Sequence, residues 1–213
     1  MGCLGLILLL FITLPVFFVL IFLNVVTISF SKLGLSPDAA VLLLFAILIG
    51  SMINIPISRR RIAYQAPRPT YMHFFFYNPP PVTHQVITVN VGGAVVPVLF
   101  ALYLLQLAPL LPTLIATGVM VIVTRWLSKP TPGVGIAMPF WIPPIFSALL
   151  ALLLARSNPA PVAYISGVVG TLIGADLLNW SNFKKLGSQM LSIGGAGVFD
   201  GIFLTGIVAA LIA

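Results

Sequence analysis

Acidic side chains are nearly missing from this chain: its 213 residues include three, Asp38, Asp176 and Asp200, and no glutamate. Charged residues of both signs make up 6%, against roughly 25% in soluble domains. Such a surface cannot solvate an ordinary soluble domain. Cysteine is equally scarce, since Cys3 stands alone and excludes an intramolecular disulfide. With His73 and His84 as the sole histidines, no Cys/His spacing suits zinc, and eleven residues with no acidic companion separate the two rings. Gly-rich phosphate loops, a Ser-His-Asp order and haem-ligand patterns are missing too. The sequence implies no metal and no cofactor.

What fills the chain instead is apolar: 60% hydrophobic residues and a mean hydropathy of +1.18. The expectation is an all-α polytopic membrane protein, residues 1–213 forming one integral membrane domain. A span needs about 20 apolar residues to cross roughly 30 Å of hydrocarbon. Runs bounded by charge, Pro or Asn predict seven spans, at 3–29, 38–56, 91–108, 110–127, 136–155, 160–180 and 189–212. The first run begins like a secretory signal, but it has no basic leader, is too long for a signal core and shows no small-residue cleavage site, so a retained helix is expected. Leu6 occupies the position where a myristoylation motif needs Ser or Thr. Segment 136–155 carries Pro139, Pro143 and Pro144 and reads as kinked or half-entering.

The net charge of +7 would suggest nucleic acid in a soluble chain, but here the basic residues cluster at the ends of apolar runs, as topology signals do. A cytoplasmic N-terminus puts Arg59, Arg60, Arg61, Arg68, Arg125, Lys129, Lys184 and Lys185 inside and leaves only Lys32 and Arg156 outside. Location in the cell membrane with the C-terminus outside follows, with the lipid bilayer as partner and no nucleic acid. Asp38, after Ser36-Pro37, reads as a helix N-terminal charge, and Arg125 and Lys129 as boundary anchors.

Residues 57–90 are the one sizeable polar connection. Within it "YMHFFFY" and "HQVITVNV", separated by "NPPPVT", predict a short cytoplasmic β-hairpin. It reads as an interfacial aromatic belt or as an edge able to pair with an extended peptide. "NVGG" at 90–93 and "GGAG" at 194–197 each open an outward span and share a Gly-Gly-Ala pattern, a hint of a distant repeat. Glycines there permit close packing or an unwound helix start.

Asp176 in "TLIGADLLNW" and Asp200 in "GGAGVFDGIFLTG" both lie within apolar runs. An ionised Asp at a membrane helix centre costs about 2.5–3.5 kcal/mol on insertion scales, so such a residue is a functional candidate by default. The two spans are consecutive and joined by "SNFKKLGS", which makes antiparallel neighbours of them. Two close carboxylates do not both ionise easily, so one holds a proton while the other acts as base. For regular helices, however, Asp200 would lie about 10 Å deeper than Asp176. A common depth requires an irregular start near Gly197, which Gly194, Gly195 and Gly197 permit.

"GVFDG" at 197–201 resembles the Gly-x-Gly-Asp motif of presenilin, signal peptide peptidase and prepilin peptidase, the intramembrane aspartyl proteases. The resemblance implies hydrolysis of a transmembrane peptide by Asp176 and Asp200, with Gly174, Gly194, Gly195, Gly197, Phe199 and Gly201 around the pair. Asn90 and Asn179, as further polar groups in apolar runs, and Gly92 and Gly93, as a close-packing pair, are secondary candidates. Phe199 replaces the second motif glycine, "GAD" at 174–176 replaces Tyr-Asp, and no Pro-Ala-Leu motif follows. Residues 80–213 also resemble a family of uncharacterised archaeal and bacterial membrane proteins with "VNVGGAVVP", "GADLLN" and "GGAGVFDGIFLTG" segments. Two other readings use the same aspartates: an ion- or proton-coupled carrier with ligands such as Asn24, Asn54 and Gln106, and an assembly subunit whose aspartates hydrogen-bond between helices.

Overall fold

The computed structural model describes residues 3–61, 84–131, 135–183 and 190–212. It is mostly helical. Seven helices of nine residues or more follow in order: α1 Cys3–Lys32, α2 Pro37–Gly50, α3 Val96–Leu104, α4 Leu110–Leu127, α5 Ile142–Leu154, α6 Pro159–Thr171 and, after the four-residue α7 Trp180–Phe183, α8 Ala196–Leu211. Two π turns, Val91–Val95 and Leu172–Asp176, precede α3 and extend α6, and a 3-10 turn Leu177–Asn179 follows the second. By length and composition, α4 and the continuous run Pro159–Asn179 could each cross a membrane.

Local chemistry explains the boundaries. The Ser36 side chain accepts from the Ala39 N–H, Pro37 opens α2 and Asp38 stands in its first turn, where a negative charge meets the helix dipole. Pro143 and Pro144 fall in the first turn of α5, where a missing N–H costs nothing because no intrahelical partner exists there. The prolines of 136–155 therefore start a helix at Ile142 rather than kink one. Ahead of them, strand β4 (Gly135–Ala137) pairs with β3 (Lys129–Thr131).

α6 is the central stave, with Val162, Ala163, Tyr164, Ser166, Val168 and Thr171 all buried. Its glycines set the spacing of its neighbours. A Cβ at Gly167 would meet Thr205 of α8 and Ser147 of α5, and Cβ atoms at Gly170 and Gly174 would meet Met120 and Thr124 of α4. Around Phe100 of α3, the rings of Phe30, Tyr103 and Tyr164 pack at centroid separations of 4.8–6.0 Å. Connections tie the elements at both ends. At one end the Tyr103 hydroxyl donates to Gly34 O and the Asn158 amide to Leu107 O. At the other, a three-stranded sheet covers the bundle.

That sheet corrects several sequence-based boundaries. Its order is β1 (Asn54–Arg61), β2 (His84–Asn90), β5 (Met190–Ile193), with β1 antiparallel and β5 parallel to β2. "HQVITVN" is a strand as expected, but it pairs with Asn54–Arg61, while "YMHFFFY" lies outside the described residues. Residues 54–56, expected at the end of the second span, belong to β1, because α2 stops at Gly50. Residues 190–193, expected in the last span, form β5. The pairing shifts between Pro56 and Ser58, next to the residue with no N–H to give, and the arginines of β1 fall on an edge strand, where charge is tolerated.

Candidate functional site

Three chain segments meet where the sheet joins the bundle: the end of α2, the β2–α3 junction and the β5–α8 junction. Asn90 ties the first two. Its Oδ1 accepts the Gly93 N–H at 2.7 Å, capping the π turn, and its Nδ2 donates to Ser51 O at 2.7 Å and to Asn54 Oδ1 at 3.2 Å. The Ser192 hydroxyl donates to the same Asn54 oxygen at 2.6 Å, bringing in the third. Side chains would not fit between these backbones. A Cβ at Gly92 would collide with the Ile47 carbonyl, and one at Gly93 with the Gly194 carbonyl. The repeat hinted at by "NVGG" and "GGAG" is thus a spatial pair, two neighbouring parallel strands that each run through two glycines into an outgoing helix.

Asp176 reaches into this junction. It closes the π turn of α6, is 1% exposed, and its Oδ2 accepts the Gly194 N–H at 2.7 Å. Gly194 has φ +68°, a conformation that costs glycine least, and its Cα lies so close to Gly93 that a Cβ would sit 2.6 Å from the Gly93 carbonyl. A π turn closes its hydrogen bond over five residues rather than four. One turn earlier, Thr171 has a buried hydroxyl with no hydrogen-bond partner among the described residues.

Asp200 lies on the next long helix, α8, with its side chain exposed and no hydrogen bond or ion pair among the described residues. α8 starts at Ala196, so the segment before Asp200 is irregular, as a common depth would require. Counting antiparallel from the Gly167–Thr205 contact, Asp176 is level with Ala196, about 6 Å short of Asp200. The two carboxylates occupy the same end of the bundle, and the hydrogen bond of Asp176 goes to Gly194 rather than to Asp200. Beside Asp200, Gly201 packs against Pro143 of α5 and the carbonyl of Phe140 just before that helix, and Phe199 stacks on Phe203 while leaning over Gly93.

The remaining candidates divide by position. Gly195 is the N-cap of α8 and turns tightly over Ser192, and Gly197 lies in the first turn of the helix. Gly174 faces Thr124 and Val121 of α4, away from the glycine junction. Buried Asn179 donates to Ser128 Oγ and Ala175 O, both at 2.8 Å, pinning the end of the α6 run to the end of α4. Sequence reasoning missed Ser51, Asn54 as a partner of Asn90, Ser192 and Thr171. The likeness of "SIGG" to "NVGG" was the available signal for Ser192. His73 lies outside the described residues, and among those described no group of three His, Cys, Asp or Glu could hold a metal.

The model of a family described as a protein of unknown function, DUF1614, matches residues 48–212. The chain belongs to this family. The DUF1614 match covers every element from the end of α2 onward and includes Asp176, Asp200 and both Gly-Gly junctions. Neither a curated protein nor a solved structure matches the chain.

Proposed function

We propose that this DUF1614 protein is a multi-spanning intramembrane aspartyl protease that cleaves membrane-embedded peptides, with Asp176 and Asp200 as its catalytic pair. The carrying observation is that these two carboxylates stand on consecutive antiparallel helical runs at one end of the bundle, one buried on a glycine junction and the other exposed. Unlike surroundings are how paired carboxyls divide acid and base roles. In this reading one carboxyl holds a proton while the other takes a proton from a water that adds to the peptide carbonyl. Collapse of the tetrahedral adduct releases the amine, which leaves with a proton from the acid. Gly194 anchors Asp176 through its N–H, and the water and scissile carbonyl occupy the offset of about 6 Å along the bundle between the two levels. An extended substrate would add to the outer edge of β5, which no strand covers among the described residues.

The test is cleavage of a panel of labelled transmembrane peptides by purified protein in liposomes, with Asp176→Asn and Asp200→Asn alongside. The reading predicts turnover by wild type and at least about a hundredfold loss in each variant, the scale of acid–base catalysis. Turnover that survives either substitution would remove the pair from the chemistry. The interrupted helices, with π turns before α3 and in the α6 run, favour a second reading, an ion- or proton-coupled carrier, since broken helices beside a carboxylate are how carriers build cation sites. Aspartate-dependent proton flux without peptide cleavage in the same liposomes would select it.

A further inference from the structure

A cleft of about 370 Å³ opens where α4 ends and the β3–β4 hairpin folds back, lined by Trp126, Leu127, Lys129, Thr131, Met138 and Pro139. Neither aspartate and no residue of the Asn90 junction lines it. Its walls are mainly apolar, with one cation, Lys129, which forms no ion pair among the described residues; Arg125, exposed in the last turn of α4, is likewise unpaired. Below the cleft, Leu111, Ile115, Val119, Ile122 and Trp126 recur at intervals of three and four, all exposed, making one apolar stripe up the outer face of α4 that is unpartnered among the described residues. From Leu111 to Trp126 the helix rises about 22 Å, more than the roughly 15 Å that one leaflet contributes to a 30 Å hydrocarbon core. Trp126 is 88% exposed at the upper end of the stripe, the level at which tryptophan sits in membrane interfaces.

We infer that this face is a seat for one anionic glycerophospholipid. The phosphate headgroup rests on Lys129 with Arg125 adjacent, the glycerol region fills the cleft against Trp126 and Met138, and the hydrocarbon chains run down the α4 stripe. A zwitterionic lipid has the chains but carries a second cation that Lys129 repels. Free phosphate has the charge but nothing to cover the apolar walls. The inference rests on α4 facing lipid and is independent of whether the aspartates hydrolyse, carry or merely tether.

The experiment is native mass spectrometry of the full-length protein, purified in detergent, delipidated and titrated with phosphatidylglycerol or with phosphatidylcholine of the same chains. Wild type should take up one phosphatidylglycerol in preference to phosphatidylcholine. Lys129→Gln should weaken that uptake about fivefold, the scale of one basic residue at an anionic surface, and leave phosphatidylcholine uptake unchanged. Arg156→Gln, at the opposite end of the bundle, should change neither. Equal uptake of the two lipids, an unaltered phosphatidylglycerol titration in Lys129→Gln, an equal loss in Arg156→Gln, or displacement of the lipid by millimolar inorganic phosphate would each overturn the assignment.

Discussion

Asp176 and Asp200 share a side chain and differ in everything around it, so substitutions should separate their structural and chemical roles. Asp176→Ala removes the acceptor of a buried N–H and should cost about 1–3 kcal/mol. Asp176→Asn keeps an acceptor oxygen and should cost less. Asp200→Asn, on an exposed position, should stay within about 0.5 kcal/mol of wild type. Chemical denaturation in a single detergent ranks the three, and a costly Asp200→Asn would mean that Asp200 has a buried partner. Thr171 gives the opposite sign: its hydroxyl is buried with no partner among the described residues, so Thr171→Val should stabilise the fold by about 1 kcal/mol. Destabilisation there would reveal a bound water or ligand on Thr171. The two carboxylates were conspicuous in the sequence because acids are so rare in it. Thr171, Ser192 and the pairing of Asn54 with Asn90 were not, because isolated polar residues in apolar runs look alike until the fold shows which of them meet.

Among the elements, α4 matched its expected span of 110–127 residue for residue, while the junctions at 54–56, 135–137 and 190–193 became strands. The physical reason is common to all three. A short apolar run of four to eight residues satisfies a helix or a strand equally, and only a partner decides which backbone hydrogen bonds form. β5 is the clearest case: its four residues owe their strand state to β2, which lies some hundred residues earlier in the chain. That pairing can be trapped. With Cys3 replaced by Ser, cysteines at Val86 and Met190, which stand opposite each other in the parallel register, should meet the distance requirement of a disulfide. Cleavage at a protease site inserted between β3 and β4 should then leave a single non-reducing band that reduction splits. Two bands before reduction would disprove the β2–β5 register. In a control, cysteines at Val86 and Arg156, at opposite ends of the bundle, should not cross-link.

For the whole molecule, the contacts define two ends without any assumption about a bilayer. Gly34, Tyr103, Leu107 and Asn158 gather at one, and Ser51, Asn90, Asp176 and Gly194 at the other. The charges divide along the same line: Arg59, Arg125 and Lys129 belong to elements at the sheet end, and Arg156 lies in the turn at the opposite end. If the positive-inside bias sets the orientation, the sheet, both aspartates and the α4 cleft face the cytoplasm. Short elements such as the 13-residue α5, about 20 Å long, do not reach across a 30 Å core on their own. They remain compatible with a bundle in which the sheet and hairpin close the cytoplasmic side and buried α6 carries the full depth. Single-cysteine variants in a Cys3→Ser background decide the matter. A cysteine at Arg156 should react with a membrane-impermeant maleimide in intact cells, and one at Lys129 only after the cells are opened. Reaction of the cysteine at position 129 from outside would invert the bundle and move both the proposed active site and the proposed lipid seat to the outer leaflet. Equal reaction of both positions in intact cells would mean that the two ends do not face opposite sides of a membrane, and the intramembrane reading of the aspartate pair would fall with that topology.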